Sequence, residues 1–177
     1  MPYDALVIVD MQVALLKAHP WDETGVLERI RRLITACRKN AVPIIYVRHT
    51  DKDLPEGSDD WQIHSAIAPQ SGERVFDKRF NSAFRQTGLH AYLQSLHAEN
   101  LILCGMQTEY CFDASCKIAF ELGYTNTVVR GTVTTFDSTL ASGGNMTRWF
   151  EDKIWNDRYA QVKNLDTVLA EIEVQKK

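Results

Sequence analysis

Short apolar runs alternate along the chain with apolar residues at helical spacing. Residues 5–9, 43–47 and 101–104 are nearly continuous apolar runs, the pattern of parallel strands covered on both faces. Residues 73–78 alternate polar with apolar, residues 125–129 form a short β-branched run, and residues 159–162 complete a predicted set of six strands. Between the strands, Val26, Leu27, Ile30, Leu33, Ile34 and Cys37 mark the inner face of one helix, and Leu89, Tyr92, Leu93 and Leu96 that of the next. Ile118, Ala119 and Leu122 predict a third helix, stopped at Gly123. Met146, Trp149, Phe150 and Ile154 predict a fourth, and Leu165, Val168, Leu169 and Ile172 a fifth. This alternation on short connections implies an α/β fold: a doubly wound parallel sheet with helices on both faces, three layers deep, with right-handed crossovers.

Two longer loops interrupt the alternation. Residues 48–71 are rich in Asp, Pro, Gly and Ser, with Trp61, Ile63 and Ile67 as anchors or as one short helix. Loops of that length often form lids or binding walls. Residues 131–143 are Thr- and Ser-rich and are expected to line a pocket. They include Thr135 and one charged residue, Asp137, a side chain suited above all to capping the helix that follows.

Bulk properties narrow the function classes. The chain of 177 residues fits one domain over 1–177, and its net charge of −3 argues against nucleic acid or an acidic membrane surface as partner. The charged face of the first long helix, Glu28, Arg29, Arg31, Arg32 and Arg38, therefore reads as solvated surface rather than a phosphate patch. No apolar run is long enough to span a bilayer and no basic leader precedes the first strand, so a cytoplasmic protein is expected. The four cysteines lack the paired spacing of a disulfide or zinc framework, and Cys37, Cys104 and Cys116 read as small core residues.

Three elements end in residues that carry chemistry. The first strand delivers Asp10 at its carboxyl end, where a carboxylate seldom stands without a partner. The third delivers Lys78, on its own an ordinary solvated residue. Gly105 ends the fourth strand, and Cys111 falls at the first turn of the next helix. There, unpaired backbone N–H groups and the positive end of the helix dipole should ease ionisation of the thiol. Spacing alone is equally consistent with a cysteine that merely packs.

The residues around these positions resemble those of a known family. Ile8-Val9-Asp10-Met11-Gln12 is similar to the opening motif of the isochorismatase-like cysteine hydrolases. Residues 78–84, Lys-Arg-Phe-Asn-Ser-Ala-Phe, resemble the family segment that supplies a lysine, and residues 105–111, Gly-Met-Gln-Thr-Glu-Tyr-Cys, resemble its nucleophile signature. The resemblance implies strand order 3-2-1-4-5-6, which sets Asp10 and Cys111 on either side of one crevice. It further implies Asp10 as base, Lys78 as stabiliser and Cys111 as nucleophile. Backbone N–H groups of Gln107 and Cys111 would form an oxyanion hole beside a cis peptide between Met106 and Gln107. Candidate pocket residues are Gln12, Met106, Tyr110, Thr135 and Asp137, joined by Trp61, Phe80 and Phe84, which read equally as core.

Nicotinamidases of this family hold a metal beside the cysteine with an Asp-x-His arrangement and further histidines. Here the order is His49-x-Asp51 and His64 stands alone, so neither a catalytic metal nor another cofactor is expected. The implied partner is a small-molecule substrate. Relatives commonly form dimers or larger assemblies, so a homo-oligomer is expected, with the helix at residues 149–155 as a candidate contact. The expected activity is hydrolysis of a small amide, carbamoyl or ureido compound through a thioester. Two alternatives stay open: hydrolysis of an isochorismate-type vinyl ether, and a non-enzymatic flavodoxin-like binding or assembly subunit.

Overall fold

In the computed structural model, which describes residues 3–175, six strands form one sheet in the order β3-β2-β1-β4-β5-β6, every neighbouring pair parallel. They are β1 (Ala5–Val9), β2 (Ile44–His49), β3 (Arg74–Lys78), β4 (Asn100–Met106), β5 (Thr125–Thr134) and β6 (Gln161–Lys163). The helices are α1 (Val13–Lys17), α2 (Glu23–Lys39), α3 (Leu89–Ser95), α4 (Asp113–Glu121), α5 (Gly143–Trp149) and α6 (Leu165–Val174). π-helical turns at Thr108–Phe112 and Phe150–Trp155 lead into α4 and extend α5.

β1 shows how the pattern becomes three layers. Leu6 and Ile8 enter the core beneath α2 and α6, while Ala5, Val7 and Val9 enter the one beneath α3 and α4. A strand covered on both faces is apolar throughout, hence the unbroken run. The inner stripe of α2 is buried as its spacing predicts. On the outer face Arg31, Arg32 and Arg38 lie 2.8–2.9 Å from Glu28, Asp166 and Glu73, and Arg29 meets Asp22. Such exposed pairs add little stability. They do leave these arginines matched by acids rather than grouped as a phosphate site. No helix among the described residues is long and apolar enough to cross a membrane.

Two strands run further than periodicity predicts. β4 continues through Gly105 to Met106, and β5 takes in residues 130–134, most of them assigned above to a loop. The β4–β5 register shifts between Leu103 and Gly105, which absorbs the irregularity. Gly105 is required by close approach: its φ is 126°, and a Cβ there would lie 2.0 Å from the Val9 carbonyl oxygen. Gly105→Ala is therefore expected to push β1 and β4 apart and cost about 2 kcal/mol or more. A lower denaturant midpoint at unchanged slope is the measurement that checks it.

Two helices turn different faces inward from those predicted. α4 buries Ser115, Cys116 and Ala119, while Ile118 and Leu122 stay about two-fifths exposed. α5 and its π turn bury Thr147, Glu151 and Trp155 rather than Met146 and Trp149. Polar partners decide this: Thr147 meets Thr108 at 2.9 Å, and Glu151 accepts from Arg130 at 2.9 Å and from the Gly131 N–H at 3.0 Å. Trp155 donates its indole N–H to Asp113 at 3.0 Å. An apolar count cannot register such pairings. Of the two tryptophans in the candidate contact helix, only Trp149 is exposed.

Candidate active site

The carboxyl ends of β1, β2, β3 and β4 meet at one point. Asp10 follows β1 in a left-handed conformation, φ 54°, which Asp tolerates better than most residues, at a cost of about 1 kcal/mol. Lys78 ends β3, two strands away, and its side chain reaches over the end of β2 to place Nζ 2.7 Å from Asp10 Oδ2. Strands lie about 4.8 Å apart, so a four-carbon stem suffices for the span. Beyond β4 the chain passes through a cis peptide between Met106 and Gln107 into the first π turn. That turn presents Cys111 Sγ 3.1 Å from the same Nζ. The third neighbour is His49, the last residue of β2 and the register partner of Lys78, with Nδ1 at 3.1 Å. Each of the three ammonium protons therefore has an acceptor, which offsets the cost of burying the charge completely.

His49 is itself held firmly. Gln12 Oε1 accepts from the His49 N–H at 2.7 Å, and Gln12 Nε2 donates to the carbonyls of His49 and Trp61 at 2.9 Å each. Because Lys78 donates to Nδ1, the ring proton belongs on Nε2, which faces Asp51 Oδ2 at 3.2 Å. Asp51 Oδ1 accepts in turn from the N–H groups of Asp53 and Leu54, at 2.9 and 2.8 Å.

Burial holds the Asp10 carboxyl above the usual carboxylate range, with Lys78 acting against it. Its Oδ1 is buried and has no hydrogen-bond partner. Burial also pushes the Cys111 thiol up to about 12, the Asp10 charge adding to the rise and Lys78 opposing it. The easier ionisation expected from the helix start is thus reversed in the resting site, because desolvation and a neighbouring carboxylate outweigh the dipole. A thiol whose ionisation burial disfavours thus stands beside a carboxyl with raised proton affinity. Cys37, Cys104 and Cys116 are buried in the cores, and burial raises each of them as well.

Asp10, Gln107 and Cys111 open on a cleft of 390 Å³ that Ala14, Leu15 and Leu54 line with apolar surface. Asn81 and Tyr110 contribute further walls. Of the predicted pocket residues, only Tyr110 lines this cleft. Gln12 is the clamp on His49, and Trp61 lies under the Arg48 guanidinium at 3.5 Å and donates to Thr50 Oγ1 at 2.8 Å. Met106 belongs to the core, and Thr135 is fully buried, its carbonyl accepting from the Trp21 N–H at 2.9 Å. Asp137 caps α5 through the Gly143 N–H at 2.7 Å. Phe80 and Phe84 line a larger neighbouring groove of 990 Å³ that shares only Asn81 with the cleft.

The sequence offers His49 only as a metal ligand. Its position at a strand end, like those of Asp10 and Lys78, was the available signal, hidden because the apolar run of β2 stops two residues earlier. Asp10, His49 and Cys111 do bring three donor atoms within 4.8 Å of one another. The Lys78 ammonium touches all three groups, so this donor set already serves a cation of its own chain and does not fit a metal ion. His64 takes no part: its Nδ1 accepts from the Ala66 N–H at 3.3 Å.

Comparison with known proteins bears on the family and the fold. The Isochorismatase domain model matches residues 4–146. The chain is 31% identical over 129 residues to streptothricin hydrolase from Streptomyces noursei, an alignment covering 68% of this chain and 45% of that protein. Among solved structures it is similar to an isochorismatase family protein, with 29% identity, a TM-score of 0.86 and coverage of 90% of this chain and 96% of the other. An isochorismatase from Pseudomonas putida KT2440 matches at 27% identity and TM-score 0.86, over 94% and 92% of the two chains. The chain spans about half the length of the first curated relatives it matches.

Proposed function

Because this chain belongs to the isochorismatase family, we propose that it is a hydrolase in which Cys111 attacks the carbonyl of a small amide, carbamoyl or ureido compound. The observation that carries this reading is the Lys78 ammonium in contact with both Asp10, at 2.7 Å, and Cys111, at 3.1 Å, beside an open cleft.

Asp10 takes the thiol proton on Oδ1, the oxygen without a partner at rest, while Lys78 holds Oδ2 and the forming thiolate. The proton moves within the cluster, whose total charge stays the same. Sulfur bonds to the carbonyl carbon, and the π pair of the C=O bond moves onto oxygen. The N–H groups of Gln107 and Cys111 receive this oxyanion. The π turn supports that role, since the Gln107 carbonyl accepts from Tyr110 and Phe112 at 3.1 Å each and passes over the Cys111 N–H between them. Protonated Asp10 returns the proton to the leaving nitrogen, the C–N bond breaks, and a thioester remains. Water deprotonated by Asp10 adds to that thioester, the C–S bond breaks, and the thiol is restored as the acid leaves.

The test is a screen of primary amides, ureido acids and isochorismate, with ammonia detection and Cys111→Ala as the blank. Ammonia released by the wild type alone is the expected result. Consumption of isochorismate at equal rates by both proteins, without ammonia from any amide, would overturn the reading.

In this scheme His49 fixes Lys78 through its third proton, with Asp51 holding the tautomer. His49→Leu is expected to lower kcat by about tenfold to a hundredfold with a small change in KM, as slight misplacement of reacting groups does. His49→Asn, whose Oδ1 offers an acceptor near the position of Nδ1, should recover much of that loss in steady-state kinetics.

A further inference from the structure

The polar lining of the cleft carries charge of one sign. No lysine or arginine lines it, whereas Asp10, Asp51 and Asp53 do. Lys78 lies fully buried with its protons committed to Asp10, His49 and Cys111, so it neutralises Asp10 and has none to offer a substrate anion. Neither of the other two carboxylates pairs with a lysine or arginine among the described residues. Asp51 meets two backbone N–H groups and the His49 ring, and Asp53 has no side-chain hydrogen-bond or ion-pair partner among the described residues. Desolvation raises the Asp51 carboxyl, but the N–H groups of Leu54 and Asp53, joined by His49, together outweigh it and hold the carboxyl below the usual range, so it is ionised at neutral pH. Lys52 between them is exposed and outside the lining, and Arg79 lies toward Glu56, at 3.9 Å, on the neighbouring groove.

The cleft also holds a buried polar atom without a hydrogen-bond partner, Oδ1 of Asp10, on a residue only 2% exposed. The cleft therefore combines a reacting group with an acidic wall, in a volume at the small end for ligand pockets. Resting on the hydrolase reading, we propose that the site selects small amides bearing a positive charge, an ammonium or guanidinium group, and excludes those bearing a carboxylate. Asp53, together with Asp51 in the same wall, is the specificity determinant. An anionic substrate would lose hydration beside two like charges and find no cation to replace it, while a cationic one gains both partners. In a cleft open to water these two charges should separate cation from anion by about tenfold to a hundredfold, and less at high salt because exposed charges are screened over about 10 Å at 0.1 M.

Three amides of nearly equal shape test this: 4-aminobutanamide, pentanamide and glutaramate, cationic, neutral and anionic. Ammonia release is measured at low and high salt in the wild type, Asp53→Asn and Asp53→Lys. In parallel, three chloroacetamides N-substituted with aminoethyl, propyl or carboxyethyl groups report the charge preference through the alkylation rate of Cys111, read by mass. The expected result is a cation-to-anion ratio of about ten or more in the wild type, narrowed by Asp53→Asn and by salt and lowered furthest by Asp53→Lys. Equal rates, an anionic preference, or a ratio that Asp53→Lys leaves unchanged would overturn the inference. The two readings fail separately: charge-ordered alkylation without ammonia from any amide counts against the hydrolase, and ammonia release without charge order counts against the selectivity.

Discussion

Cys111→Ala is expected to reduce amide turnover about ten-thousandfold or more, to the level of the blank, with little change in substrate binding. The substitution removes the one atom that bonds to the substrate in the proposed scheme while leaving the Lys78–Asp10 pair and the apolar lining of the cleft in place. The loss should therefore fall on kcat and not on the affinity for an unreactive analogue. Rapid quenching adds a direct readout: the wild type should carry an acyl group on the peptide containing Cys111, and the variant none. Residual turnover within tenfold of wild type, or an acyl group on any other residue, would remove Cys111 from the mechanism.

Asp10→Asn is expected to cost about a thousandfold, because the proposed general base is lost while the proposed nucleophile stays. With the thiol at about 12 in the resting site, almost none of it is thiolate at neutral pH unless Asp10 accepts the proton. Alkylation of Cys111 in the variant should then be slower than in the wild type near pH 7, where no base accepts the proton. Loss of the Asp10 charge also removes one cause of the thiol's rise, so the rate should climb with pH through a range below about 12. Selective, rapid alkylation of the variant at pH 7 would sink the assignment.

The same substitution has a linked effect on stability. Burial raises the Asp10 carboxyl above its unfolded value of about 4, so the folded chain binds that proton more tightly than the unfolded one does. The stability this contributes is fully present below about pH 4 and is lost as pH rises through the folded value. Asp10→Asn removes that term, so its stability should fall less between pH 4 and pH 7 than that of the wild type. Urea midpoints across that range measure the difference. The comparison concerns the slope, since Lys78 loses its carboxylate partner in the variant at every pH.

The contrast between core and site shows what could be read without coordinates. Leu6, Ile8, Ile30 and Val168 announce their burial because transfer from water depends on the residue itself and on a fixed period of two or 3.6. Thr147, Glu151 and Gln12 are just as buried yet invisible to that reading, because each is drawn in by a particular partner distant in the chain. Ile118 and Leu122 err the other way, apolar at helical spacing but left on the surface. The cleft divides in the same manner. Asp10, Lys78 and Cys111 were legible as motif residues, whereas Trp61 and Met106 went to packing, and the lining by Asp53, Leu54 and Asn81 depends on how a long loop and the segment after β3 fold back.

Residue order alone determined that this chain forms a parallel sheet with helices on both faces, and which strands deliver an acid, an amine and a thiol at their ends. Both follow from local periodicity and from the motifs at those ends. Only the tertiary structure decided that His49 completes the ammonium's set of partners, that burial disfavours ionisation of the thiol, and that the cleft wall is acidic. Those properties depend on distances between strand ends and on exclusion of water, and neither exists until the sheet has closed around them.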